Sequence, residues 1–146
     1  MNRKNSFIFL VVLFIFFNSV FAIDEFNNFN IKVKADLNNF KVDIIAEFNV
    51  KESVVDDLIN NVKMEPADVY LTLKLKELTK KDTNVIVTEF NKNKEKGWGV
   101  IAKELGIKPG SKEFHELKAK IDLMKNGKSP FEKKKKDIKN IDKKKK

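Results

Sequence analysis

Residues 29–48 read FNIKVKADLNNFKVDIIAEF, and the way this stretch is folded decides the class of the whole chain. Apolar side chains fall at Phe29, Ile31, Val33, Ala35 and Leu37, then at Phe40, Val42, Ile44, Ala46 and Phe48. Alternation with a period of two is the mark of a half-buried strand. Asn38-Asn39 divides the two halves, and asparagine tolerates the positive φ of a two-residue hairpin turn. Folding there sets Leu37 opposite Phe40, Val33 opposite Ile44 and Phe29 opposite Phe48, all apolar pairs. On the other face Asp36 meets Lys41 and Lys34 meets Asp43, with opposite charges across the ladder. The pattern predicts a two-stranded antiparallel hairpin over residues 29–50, whose apolar face needs a cover because two strands alone are marginal in water.

The cover is predicted from residues 53–125 as about five short helices. Ser53 with Asp56 forms an acidic capping box ahead of Val55, Leu58, Ile59 and Val62, spaced i, i+3, i+4, i+7. Pro66 suits a first helical position and Asp68 a first turn, so "VYLTLKLKEL" is read as a helix despite its alternation. That helix is apolar on two sides and therefore central. Asp82 or Thr83 opens a further helix over 83–93, against the strand preference of its Val-Ile-Val run. Trp98, Ile101, Ala102 and Leu105 make the next stripe, stopped at Gly106 with Ile107 folding back. Ser111 caps the last, with Phe114, Leu117, Ile121 and Met124 on one face and an end near Gly127. The predicted architecture is α+β: one domain over residues 23–127, hairpin first, helices packed on it.

The segments "PADVYLTLKLKEL", "GWGVIAKELGIKPGS" and "EFHELK", in that order, resemble an uncharacterised family of small exported bacterial proteins. The resemblance spans roughly residues 40–120 and implies a bacterial, exported, single-domain protein with no assigned activity. The opening MNRKNSFIFLVVLFIFFNSVFA has its own layout: Arg3 and Lys4, an apolar run from Phe7 to Phe17, and compact residues up to Ala22. This predicts a secretory signal peptide, residues 1–22, cleaved near Ala22 to leave a periplasmic or extracellular protein. No cysteine is present, so the fold is held by its core alone.

The formal charge of +9 is not spread over the domain. Residues 128–146 hold ten lysines against Glu132, Asp137 and Asp142, and with Arg3 and Lys4 they leave residues 23–127 electroneutral. The tail is predicted to be disordered. Lys133, Lys134, Lys135, Lys136, Lys143, Lys144, Lys145 and Lys146 are its candidate contacts to an anionic surface.

Residues 97–118 look like a helix-turn-helix, but the added Lys-Pro-Gly delays the second helix, whose first turn offers Lys112, Glu113 and Glu116 rather than base-reading side chains. No sequence-specific nucleic-acid partner is expected. "HELKA" begins like a zinc-protease motif but places Ala119 where the second histidine belongs, so no metal, cofactor or catalytic residue is assigned. Trp98, between Gly97 and Gly99, is the candidate centre of a partner-binding surface with Tyr70 and His115. The expected function is a non-enzymatic binding module for a protein or cell-envelope component. The alternative is a small enzyme or ligand carrier whose site is not written in a motif, and a helix-turn-helix-like DNA binder ranks behind both.

Overall fold

The computed structural model describes residues 25–131. They form seven α-helices and no strand. In chain order these are α1 (Asn27–Lys34), α2 (Leu37–Phe48), α3 (Glu52–Asp56), α4 (Pro66–Thr79), α5 (Thr83–Asn93), α6 (Trp98–Glu104) and α7 (Lys112–Lys125). A π-turn, Asp57–Asn61, extends α3, and a 3-10 turn, Lys94–Lys96, follows α5.

The α+β expectation is therefore wrong: the predicted hairpin is two helices, and the domain is all-α among the described residues. The error has a specific source. Positions i and i+4 share a face in a helix and also in a strand, so Phe29/Val33 and Phe40/Ile44/Phe48 satisfy both periods. Positions i+2 tell the two apart. Ile31 and Val42, assigned to the inner face of the hairpin, are 59% and 63% exposed, while Phe29, Phe40 and Ile44 are buried. The break lies at Asp36, not at Asn38-Asn39. Asp36 is the N-cap of α2, where its carboxylate accepts from the Asn39 backbone N–H at 3.4 Å and from the Asn39 side-chain amide at 2.5 Å. The charges assigned to the ladder also go elsewhere: Lys34 pairs with Glu65 at 2.6 Å, and Lys41 pairs with Asp56.

Helix α4 is the centre. Ala67, Val69, Tyr70, Leu71, Leu73 and Leu75 are all buried, so every side of the helix needs a neighbour. α1, α2, α5 and α7 supply them, and α6 packs on α5. α3 starts at Glu52 with no side-chain cap, so Ser53 lies inside the helix rather than capping it. Beyond α4 the joints follow the sequence closely. At the end of α6, Ile107 N–H bonds the Ala102 carbonyl and Gly106 N–H bonds the Lys103 carbonyl, a Schellman pair that needs Gly106 at φ 97°. Ser111 Oγ accepts from Phe114 N–H at 3.2 Å to open α7.

The packed chain runs past Gly127, the predicted edge of the tail. Lys32 Nζ donates to the Gly127 carbonyl and Lys120 Nζ to the Pro130 carbonyl, each at 2.9 Å. Phe131 is buried edge-on against Phe40 and Tyr70, with ring centroids 6.1 Å and 5.4 Å away. The buried ring and the two lysine–carbonyl bonds together hold residues 128–131 against the domain.

Two substitutions separate the helical pair from a hairpin. Val42→Lys faces solvent and is expected to change stability by less than about 0.5 kcal/mol. Ile44→Ala, in the core, is expected to cost about 2–5 kcal/mol. Urea denaturation followed by circular dichroism at 222 nm measures both; a hairpin would require Val42→Lys to be the damaging change as well.

Candidate functional site

A groove of about 970 Å³ lies between α1, the first turn of α4, the end of α5 and the starts of α6 and α7's inner face. Its floor is built from two helix starts. Pro66 opens α4, and this puts Asp68 in the first turn, where a carboxylate complements the helix dipole. Asn30 of α1 reaches across so that its side-chain oxygen accepts from the Ala67 backbone N–H at 2.9 Å, holding α1 against that turn. Gly97 opens α6 at φ 85°, ψ 165°, a conformation that residues with a Cβ rarely adopt. No atom lies near the position of a Cβ, so backbone geometry rather than space calls for glycine there.

That turn delivers Trp98 onto Phe90, with ring centroids 5.3 Å apart and planes 28° from parallel. The Trp98 indole N–H donates to Asp68 Oδ1 at 3.0 Å. Burial pushes the Asp68 carboxyl above its ordinary pKa, against the pull of hydrogen bonds from Trp98 and the Glu65 backbone and of the nearby Lys94 charge. Apolar walls come from Ile31, Phe114, Leu117 and Ile121. Three ion pairs form on the rim, Lys34 with Glu65 at 2.6 Å, Lys118 with Asp122 at 3.5 Å, and Lys125 with Glu25; Lys94, Glu95 and Lys96 also line the groove, Lys96 donating to Asn93 Oδ1 at 3.1 Å.

Of the three residues expected to share a surface, only Trp98 lines this groove. It does so from a buried position, 5% exposed. Tyr70 faces the other way along α4, packed edge-on against Phe48 and Phe131, and its hydroxyl has no hydrogen-bond partner among the described residues. Burial raises its pKa well above the usual phenol value, so it is a neutral core residue. His115 is exposed on α7, its ring edge-on to Phe114 at 6.5 Å, and it is not part of the groove. Lys133 to Lys136 and Lys143 to Lys146 lie outside the described residues. Among the described residues no three His, Asp or Glu side chains gather as metal ligands, and no helix is long and apolar enough to cross a membrane.

Sequence reasoning placed Asp68 in a helix start but missed its role, because its partner Trp98 is thirty residues away. Lys74 was missed too. It is 4% exposed and reaches out of the core to Glu77, at 2.6 Å, and to Glu116 of α7. Burial pulls its pKa down, but the hydrogen bonds to Glu116 and Glu77 outweigh this and the net shift is upward. Glu116 is thus a tether between α4 and α7. Glu113 is drawn below the usual carboxylate range by its own backbone N–H and the Ser111 hydroxyl. Two of the three charged side chains at the start of the lookalike's second helix, Glu113 and Glu116, are therefore engaged within the domain.

No protein-family model, no curated protein and no solved structure matches this chain.

Trp98→Phe keeps a ring on Phe90 but leaves the carboxyl of Asp68 without its indole donor. A loss of about 1–3 kcal/mol is expected in denaturant melts. A second test uses pH. With its folded pKa raised, Asp68 keeps its proton to higher pH in the folded than in the unfolded chain. Its stabilising contribution is complete below about pH 3.9, the unfolded value, and is lost as pH rises through the folded value. Asp68→Asn retains an oxygen acceptor for Trp98 but cannot ionise. The Tm of Asp68→Asn relative to the native chain should therefore climb as pH rises from about 3.9, the unfolded value, toward neutrality. A difference that stays flat over that range would show that the carboxyl is not held in a desolvated place.

Proposed function

We propose that this protein is an exported, non-enzymatic binding module whose α1–α4–α6–α7 groove holds a partner or cell-envelope component, with the lysine segment 133–146 adding salt-sensitive attachment to anionic surfaces. One observation carries the reading: an open groove of about 970 Å³ combines apolar walls with three ion pairs on its rim and the Asp68–Trp98 hydrogen bond inside it. Three rim ion pairs and the Asp68–Trp98 hydrogen bond fix the shape of the opening. A groove of this size with a few fixed polar groups is the form that ligand sites take. Surface ion pairs contribute little stability, roughly 0–1 kcal/mol each, so their arrangement around one opening bears on shape and specificity more than on folding. The electroneutral domain and the basic segment divide the work: selectivity in the groove, non-specific attraction in the tail.

Export is tested first by expressing the whole chain in a bacterial host and weighing the processed product, which should begin at Ile23. Binding is tested by comparing that product with a chain ending at Phe131, the last residue seated in the core. Both are passed over anionic liposomes, peptidoglycan, lipopolysaccharide and duplex DNA across a salt series. The longer chain should be held on the anionic surfaces at low salt and released by salt, and the shorter one should not. Both should stay on one envelope material at high salt. If the shorter chain is retained by nothing, the groove is not an envelope-binding site.

A further inference from the structure

The lysine segment leaves the domain from one side only. Helices α1, α4 and α7 pack on one another and form a layer with two sides. On α1, Ile31 lines the groove, while Phe29 lines the cleft beside Phe131. On α4, Asp68 lines the groove and Tyr70 carries the Phe131 ring at 5.4 Å. On α7, Lys118 lines the groove and Lys120 donates to the Pro130 carbonyl at 2.9 Å. In each pair the two residues are two positions apart, which turns them roughly 200° around their helix. Three helices thus agree: the groove lies on one side of the layer and residues 128–131 on the other.

Phe131 is buried on that far side, and its seat fixes the point from which the segment departs. Lys133 to Lys136 follow within five residues, a reach of at most about 18 Å along an extended chain. A domain of about 100 residues has a radius of gyration of about 13 Å, and halfway round a sphere of that radius is roughly 40 Å. These four lysines therefore meet a surface from the Phe131 side. Charge on the folded faces does not choose the side: Asp36 and Asp43 stand with Lys32 around the cleft, and lysines and carboxylates are mixed on the groove rim. The seat of Phe131 chooses it. Resting on the lysine-segment reading above, we propose that the protein lies on a phosphate-bearing lipid surface with its Phe131 side, and that the groove opens away from the lipid toward a separate partner. Lipid rather than nucleic acid is the surface because the signal-peptide reading of residues 1–22 puts the chain among envelope components. Lys32 and the exposed Lys128 stand beside the point of departure. The segment holds the lipid while the groove selects its partner, and the two do not compete for space.

The chain has no cysteine, so a single one can be placed on either side. Ile31→Cys lies on the groove wall, at a residue 59% exposed, and Asn39→Cys lies at an exposed position of the cleft beside Phe131. Each carries a fluorophore in the full chain lacking residues 1–22. The probes are phosphatidylglycerol–phosphatidylcholine vesicles with a nitroxide on a fraction of the headgroups. Bound at low salt, the label at Asn39→Cys should be quenched several-fold more than the label at Ile31→Cys. A flexible Gly-Ser linker of about 20 residues inserted between Phe131 and Glu132 should leave binding intact and bring the two labels to equal quenching, because the domain then turns freely. Equal quenching without the linker, or stronger quenching at Ile31→Cys, overturns the orientation while the lysine attachment stands. A difference that survives the linker overturns it as well, since the short tether would not be what sets the side. No binding to the vesicles overturns the lysine-segment reading and the orientation with it. Binding to duplex DNA but not to the vesicles makes nucleic acid the surface and overturns the lipid assignment.

Discussion

Everything in this domain follows from the burial of α4 on all sides. From Pro66 to Leu75 the helix exposes almost nothing except the edge of Asp68. A helix apolar all round has no solvent face and is stable only when enclosed. Enclosure takes several elements, and each is too short to be stable alone, since isolated helices under roughly 12–15 residues are marginal in water. The domain is thus a mutual arrangement: short amphipathic helices gain their stability from α4, and α4 gains its environment from them. This is also why residues 27–48 are helical. They cover α1's and α2's share of α4 with Phe29, Phe40 and Ile44, and the remaining positions of the apparent alternation are turned outward.

Two charged side chains interrupt that enclosure, and they are treated differently. Lys74 is nearly as buried as its leucine neighbours, yet its ammonium emerges between Glu77 and Glu116, so burial is compensated and the charge is retained. Breaking one partner of such a group leaves a buried charge uncompensated, so the pair ties α4 to α7 more firmly than its surface carboxylates suggest. Asp68 makes no salt bridge among the described residues, and the nearby Lys94 charge only partly offsets its burial. Its hydrogen bonds fix its direction without neutralising it, and it opens on the groove. Within one helix, Lys74 ties α4 to α7 and Asp68 ties it to the start of α6.

The groove itself arises from backbone chemistry as much as from side chains. Pro66 and Gly97 set where α4 and α6 begin, and those starts place Asp68 and Trp98 within hydrogen-bond distance. Asn30 holds α1 to the same corner. A corner built from two helix starts and a side chain of a third helix is fixed by the packing of the whole domain. The lysine segment carries net positive charge, and residues 23–127 carry none.

Local chemistry in the sequence determined the second half of the chain. Pro66, Gly106, Ser111 and the i, i+3, i+4, i+7 stripes mark α4, α6 and α7 because caps, stops and helical spacing are decided within a few residues. Even the centrality of α4 was legible, from apolar residues on two sides. Tertiary structure decided the rest. In residues 29–48 the periods of strand and helix coincide at i+4, so local pattern left two solutions, and packing against α4 selected the helical one. Phe131 joined the core although it sits in a lysine-rich segment, because a slot between Phe40 and Tyr70 was there to receive it. Tyr70 and Trp98, read as neighbours, were sent to opposite sides of one helix. Asp68 gained its meaning only when Trp98 arrived beside it. Pairings between residues far apart in the chain depend on where whole helices dock, and no local rule of spacing or propensity contains that information.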